Sequence, residues 1–243
     1  MPDFAHLHVH TQFSILDGAS DIDGLLDKVK ETGMNAIAIT DHGNMFGVKQ
    51  FHKKAVKKGV KPIIGCEIYI AEKSRFEKTG KEDRSGFHLV LLAKNKTGYQ
   101  NLIRLVSDAW LEGFYYTPRI DKELLFKYKE GLIVSTACIA GEIPYHILEK
   151  NPEKVDELIL EFKKQFGDDF YLEIQRHPTG EPKMDAEVYE RQMKVSEEMK
   201  KLSEKHDIKC IATNDVHFIN AEDAGAHDIL ICLNTNKDIN DEN

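Results

Sequence analysis

Seven short runs of strand-like pattern, separated by stretches of helical spacing, constrain this chain more than any other feature. They cover residues 4–10, 35–40, 61–70, 88–93, 131–135, 169–175 and 209–213. Between the first two, Leu25, Leu26 and Val29 recur at helical spacing behind a cap at Ser20 or Asp21, and Gly33 ends that helix. Similar spacing predicts helices over 46–58, from Thr97 through Leu102, Leu105 and Trp110, and over 153–166, 184–206 and 221–233. The segments 72–86 and 113–121 read as a polar connection and a loop. Strands alternating with helices specify the α/β class, a parallel sheet covered by helices.

An open doubly wound sheet and a closed β/α barrel both satisfy that order. No glycine-rich phosphate loop of the GxGxxG or GxxxxGK[ST] kind occurs, which lowers the nucleotide-binding open sheet. Residues capable of chemistry fall instead at the ends of many strands, which favours a barrel. Seven repeats rather than eight would make it irregular.

The length of 243 residues allows one large core or two small ones. With 33 basic and 41 acidic residues the net charge is −8, which argues against a domain that grips nucleic acid mainly by its phosphates. A nucleic-acid end can still enter a site where metal ions supply positive charge locally. No apolar run approaches the ~18 residues of a membrane span, and the first residues lack a basic-then-apolar leader. The expectation is a cytoplasmic protein. Its four cysteines, Cys66, Cys138, Cys210 and Cys232, are widely spaced and expected to be reduced. Residues 234–243 are polar without an apolar face, as at a frayed end or in a piece of something longer.

The chemistry begins at the amino-terminal run. His6, His8 and His10 alternate with Ala5, Leu7 and Val9, so on a strand all three imidazoles share a face. Imidazole is the commonest metal-ligating side chain, and a pair at i and i+2 can chelate one ion. The blander reading is an edge strand with incidental histidines. The other strand ends carry Asp17, Asp41-His42, Glu67 within the third run, His88 at the start of the fourth, Cys138 after the fifth, and Asp215 and His217 after the seventh. In a parallel barrel such ends converge on one mouth. The pairs His8/His10 and Asp215/His217 are the strongest element. Glu67 in an apolar strand would be costly to bury without a cation. Cys66, Cys210 and Cys232 are assigned to the core, and His52, His146, His206 and His227 to helix surfaces. Arg119 and Arg176 lie in predicted loops, as candidate phosphate contacts or plain surface arginines.

The run His8-Val-His10-Thr-Gln-Phe-Ser, with Thr40-Asp-His-Gly43, Gly65-Cys-Glu67, His88 and Asn214-Asp-Val-His217, resembles the PHP (polymerase and histidinol phosphatase) family. Residues 4–18, 40–47, 113–121 and 135–142 look like its polymerase branch, the amino-terminal PHP domains of bacterial DNA polymerase III alpha subunits. The likeness covers essentially the whole chain. It implies an irregular seven-stranded β/α barrel in a single PHP domain over 1–243, an N-terminal fragment of a longer chain whose polymerase active site lies downstream.

The resemblance also implies up to three divalent metals on nine ligands. His8, His10, Glu67 and Asp215 would hold one, Glu67 would bridge to a second held by His88 and Cys138, and Asp17, His42 and His217 would hold the third. Such mixed donors suit zinc, manganese or iron better than calcium or magnesium. Ions so placed support phosphoester hydrolysis. The implied activity is a 3′–5′ exonuclease acting on the primer end. A metal-stabilised scaffold that docks the polymerase or a separate proofreading subunit is the alternative, and a stand-alone histidinol-phosphatase-like enzyme a further one.

Overall fold

In a computed structural model, residues 4–15, 17–180 and 182–239 are described. The elements follow in the order α1 (Ile22–Glu31), β1 (Ala36–Ile39), α2 (Val48–Lys58), β2 (Lys61–Ile70), β3 (Phe87–Ala93), α3 (Lys96–Leu111), β4 (Arg119–Ile120), α4 (Lys122–Lys127), β5 (Leu132–Ser135), α5 (Glu142–Leu148), α6 (Pro152–Phe166) and β6 (Phe170–Ile174). A short α7 (Pro182–Met184) passes through a π-turn at Asp185–Tyr189 into α8 (Glu190–His206), and β7 (Cys210–Ala212) and α9 (Ala224–Thr235) follow. Local chemistry sets the boundaries. Asp21 caps α1 by accepting from the backbone N–H groups of Asp23 and Gly24, and Gly59 ends α2 in the left-handed region.

The strands form one sheet in the order β1-β2-β3-β5-β6-β7, with β4 on β2. The long β2 pairs parallel with β1 through its first half, and its second half pairs antiparallel with β3. Gly65 sits at that change of partner, where a Cβ would meet Leu92, the Leu91 carbonyl and Thr40 within 3 Å. β3 also runs antiparallel to β5, whereas β5, β6 and β7 are parallel. The sheet is therefore mixed, not parallel as the alternation of elements predicts. An antiparallel β3 brings its first residues to the mouth at which its neighbours end, which accounts for His88 at a strand start.

The sheet curls until residues 6–10 bridge its edges. Ala38 and Thr40 donate to the carbonyls of His6 and Val9, His10 donates to Val216, and Val216 donates to His8. The amino-terminal run is thus a seam with one parallel bridge, Val9 to Val216, rather than a laddered strand. The seventh strand is supplied by Arg119–Ile120 inside the predicted loop, paired parallel with Tyr69 and Ile70. The irregular β/α barrel holds with that exchange of members. The helices α4 and α5 fall where no helix was predicted. Residues 240–243 of the polar tail lie outside the described residues.

Helices cover one face of the sheet in two neighbouring apolar clusters. Ile22, Leu26 and Val29 of α1 and Phe51 and Ala55 of α2 close on Val9, Ile37 and Ile39. Farther along the same face Leu102, Leu105, Leu158, Phe162 and Met199 cover Leu91, Val134, Phe170 and Leu172, while Ala38, Val90, Leu92 and Ala137 pack on the opposite face. Among the described residues, no helix is long and apolar enough to cross a membrane.

Candidate metal centre

The mouth where β1, β2, β5, β6 and β7 end and β3 begins collects the ionisable side chains. Buried His8 and His10 come from the seam, Glu67 from β2, His88 from β3, and Asp215 and His217 from the turn after β7. Asp17, His42 and Cys138 come from the loops between. Asp215 adopts φ 48°, a left-handed value that a non-glycine residue takes at a cost. Nearby, Tyr69 lays its ring against His42 and His88, with centroids 6.1 and 5.2 Å away.

Glu67 stands at the centre. Its Oε2 lies 2.6 Å from His8 Nε2, and its Oε1 lies 2.7 Å from His42 Nδ1 and 2.8 Å from His88 Nδ1. Asp215 Oδ1 is 3.2 Å from Nε2 of both His8 and His10. Asp17 Oδ2 is 3.0 Å from His42 Nε2, and Cys138 Sγ is 3.6 Å from His88 Nδ1. Three groups have donor atoms within 4.8 Å of one another: His8, His10, Glu67 and Asp215; His42, Glu67 and His88; and His10, His42 and His217.

Direction matters more than proximity. His10 Nε2, Asp17 Oδ1, His42 Nδ1, Glu67 Oε1 and Asp215 Oδ1 are buried and make no hydrogen bond despite these contacts. Nitrogen and oxygen atoms that crowd together off each other's hydrogen-bonding axes, away from water, are arranged to face a common cation. The residues present therefore fit metal ions.

The outward-facing atoms fix how each ring presents itself. His8 Nδ1 donates to Glu173 Oε1 at 2.7 Å, while Glu173 also accepts from Ser135 Oγ, Gln175 Nε2 and Thr213 Oγ1. Ser14 Oγ donates to Asp41 at 2.9 Å and so accepts from His10 Nδ1 at 2.9 Å. His217 Nδ1 donates to the Asp215 backbone carbonyl. In all three rings Nδ1 donates outward and Nε2 faces the centre, where that of His8 donates to Glu67 Oε2 at 2.6 Å; outward Nδ1 bonds are the arrangement that second-sphere partners impose on ligating histidines.

The electrostatics follow from burial among opposite charges. Burial lowers His8, but the Asp215 and Glu173 carboxylates outweigh it and raise its pKa well above the ordinary value. Burial also opposes the charge on His42, yet Glu67 and Asp17 raise it to about 10. His10 falls to about 3, through burial and the neighbouring His42. Burial pushes Glu67 up, but His88 and His42 hold its carboxyl well below the usual range. Burial, with Glu67 close by, pushes the Cys138 thiol well up.

A PHP domain model matches residues 6–177. The chain belongs to the PHP family. This PHP domain is 49% identical to the DNA polymerase III subunit alpha of Borreliella burgdorferi over 243 residues, and 47% identical to that of Thermus aquaticus over 242. Those alignments take in 99% and 98% of the chain but 20% and 19% of the relatives, so it spans about a fifth of their length. In fold it is similar to an amidohydrolase of Chromobacterium violaceum, with TM-score 0.54 and 14% identity, covering 90% of this chain and 89% of that one. A protein of Bifidobacterium adolescentis, provisionally described as a metal-dependent phosphoesterase, gives TM-score 0.52 and 16% identity, with 89% and 88% covered.

All nine residues expected to act as ligands gather at this mouth of the PHP domain. His6 does not join them: it packs edge-on to Phe4 and belongs to none of the three donor groups. His52 is exposed as expected, whereas His227 is half-buried with its ring 5.7 Å from that of His217. Cys66 is buried, but Cys232 lines a groove on α9 rather than the core.

Arg119 is neither a surface residue nor free for phosphate. It is 1% exposed and donates to the carbonyls of Gly113, Arg75 and Glu77. Arg176 is exposed just past β6. Glu173 escaped the sequence reading, although a lone carboxylate in the apolar run Phe170-Tyr-Leu-Glu-Ile174 is the same signal that marked Glu67.

Proposed function

We propose that this chain is the PHP domain of a DNA polymerase III alpha subunit and hydrolyses phosphodiesters as a metal-dependent 3′–5′ exonuclease. The observation that carries the reading is the set of buried donor atoms at Glu67, His10, His42, Asp17 and Asp215, crowded without hydrogen bonds. High identity to polymerase subunits along nearly the whole chain supports the choice of substrate, the 3′ end of a primer. The remainder of the polymerase would follow in the same chain, in the cytoplasm.

Under this reading His8, His10, Glu67 and Asp215 would hold one divalent ion, Glu67, His88 and Cys138 a second, and Asp17, His42 and His217 a third. The donor set suits zinc, manganese or iron. When bound, such ions make a hydroxide available at neutral pH and neutralise charge on the reacting phosphodiester. Glu173 and the Ser14–Asp41 pair hold His8 and His10 in position. The floor is closed, with His8 and His10 side chains at 0% exposure, while His88, His217, Asp17 and His42 at 16–22% form the rim by which a phosphodiester enters. Arg176, exposed just past β6, would meet a phosphate oxygen of the bound strand.

The test is release of mononucleotides from a mismatched primer terminus by metal-loaded protein. Release lost in Asp215→Ala supports the reading, and release no greater than in that variant removes it. The fully closed floor also suits a scaffold that uses metals for stability. Chelation would then lower the melting temperature while no hydrolysis occurred at any metal loading.

A further inference from the structure

Beside the rim lies an aromatic shelf that the hydrolytic reading leaves unused. Trp110, at the end of α3, and Phe114 stack with centroids 5.3 Å apart and planes 13° from parallel, and Phe46 lies 6.3 Å from Trp110. Exposed rings are costly to display, yet these three are 43%, 44% and 60% accessible. They are also anchored. The Trp110 indole N–H donates to the Gly43 carbonyl at 2.8 Å, directly after the candidate ligand His42, and Gly43 N–H donates to the Glu67 carbonyl. The Asn44 side chain accepts from Phe46 N–H and donates to the His42 carbonyl. Arg119, buried under the 113–118 loop, holds the Gly113 carbonyl next to Phe114, and a Cβ on Gly113 would fall 1.8 Å from the Arg119 carbonyl. The motif Gly113-Phe-Tyr-Tyr-Thr-Pro-Arg119 thus builds a rigid shelf against the turn that carries His42.

We propose that this shelf binds an unpaired nucleobase of the substrate strand, stacked on the Trp110–Phe114 pair while its phosphate lies at the rim. The inference rests on the phosphodiesterase reading and adds how the strand is gripped. A chain of net charge −8 is poorly suited to holding DNA by a cationic groove alone, whereas stacking on aromatic faces is sequence-tolerant, since every base has a π-face. Anchored planar rings suit a flat, sequence-variable ligand, and their tether to the His42 turn couples the base to the centre.

Trp110 is the sole tryptophan of the chain, so its fluorescence reports this shelf alone. The probe is a five-nucleotide single-stranded DNA with hydrolysis-resistant phosphorothioate linkages, titrated into the protein with manganese present. A saturable quench is expected, lost when the 3′-terminal nucleotide is abasic. Phe114→Leu and Phe46→Leu should each weaken binding about tenfold, within the range that stacking of one base supplies. Melting curves on both variants establish that they are folded. No quench, or an equal quench by the abasic strand, overturns the shelf even if the same protein cleaves an unmodified strand. A base-dependent quench without cleavage upholds the shelf and removes the exonuclease reading alone.

Discussion

Glu173 receives the Nδ1 proton of His8 at 2.7 Å, and three further side chains donate to the same carboxylate. This buried network holds His8 so that Nε2 meets Glu67 and Asp215. Glu173→Gln keeps the size and removes the charge. Metal affinity, read by titration against a chelating indicator, should fall about 10- to 100-fold with little change in fold. Unchanged affinity would reduce Glu173 to a core residue.

The metal-stripped protein should be most stable near pH 6.5. His42 titrates at about 10 when folded, so its contribution is fully present below its unfolded value of 6.5 and is lost as pH rises toward 10. His10 titrates at about 3 when folded. The unfolded chain therefore binds its proton first, and stability also falls as pH drops from 6.5 toward 3. Thermal melts from pH 4 to 10 should show a maximum between these limbs, and metal should flatten the alkaline limb by replacing the protons. A melting temperature that climbs steadily from pH 6.5 to 10 without metal would contradict these assignments.

Removing the Arg119 side chain should destabilise the protein rather than alter DNA affinity directly. Its guanidinium is enclosed and satisfied by backbone carbonyls, so Arg119→Ala leaves those acceptors unpaired and should cost about 2–4 kcal/mol in urea denaturation. Lysine cannot reproduce the fork of donors and should recover little of the loss. A variant of unchanged stability with weakened phosphate binding would return Arg119 to the role its loop position suggested.

Phe162 tests the core that carries the mouth. At 2% exposure it packs against Phe170 and Phe166, beneath β5 and β6. Phe162→Ala should cost about 3–5 kcal/mol through lost burial and the cavity left behind. A loss under ~1 kcal/mol would mean that α6 is not fastened to the sheet by this ring.

Where chemistry is written into local pattern, the sequence was sufficient. Period-two alternation marked the histidine seam, helical spacing marked α1, α2, α6 and α8, and a carboxylate inside an apolar run marked Glu67. The side chains at the mouth were named, with Asp41, from their places beside predicted strands, and the family resemblance drew nine of them together as one ligand set; His88, at the start of its strand, did not fit a parallel barrel.

What depended on partners distant in the chain was decided only by the tertiary structure. Whether β3 runs with or against β2 depends on its connection, not on its own apolar residues, and that direction puts His88 beside Glu67. Glu173 orients His8 across 165 residues. Arg119 looks like a loop arginine until Gly113 and Glu77 enclose it. Phe46, Trp110 and Phe114 form one shelf because the connection from β1 to α2 meets the end of α3 and the loop that follows it, with Trp110 donating to the Gly43 carbonyl. Propensity and periodicity act over a few residues, whereas the satisfaction of buried polar groups and the meeting of rings are settled by the whole chain at once.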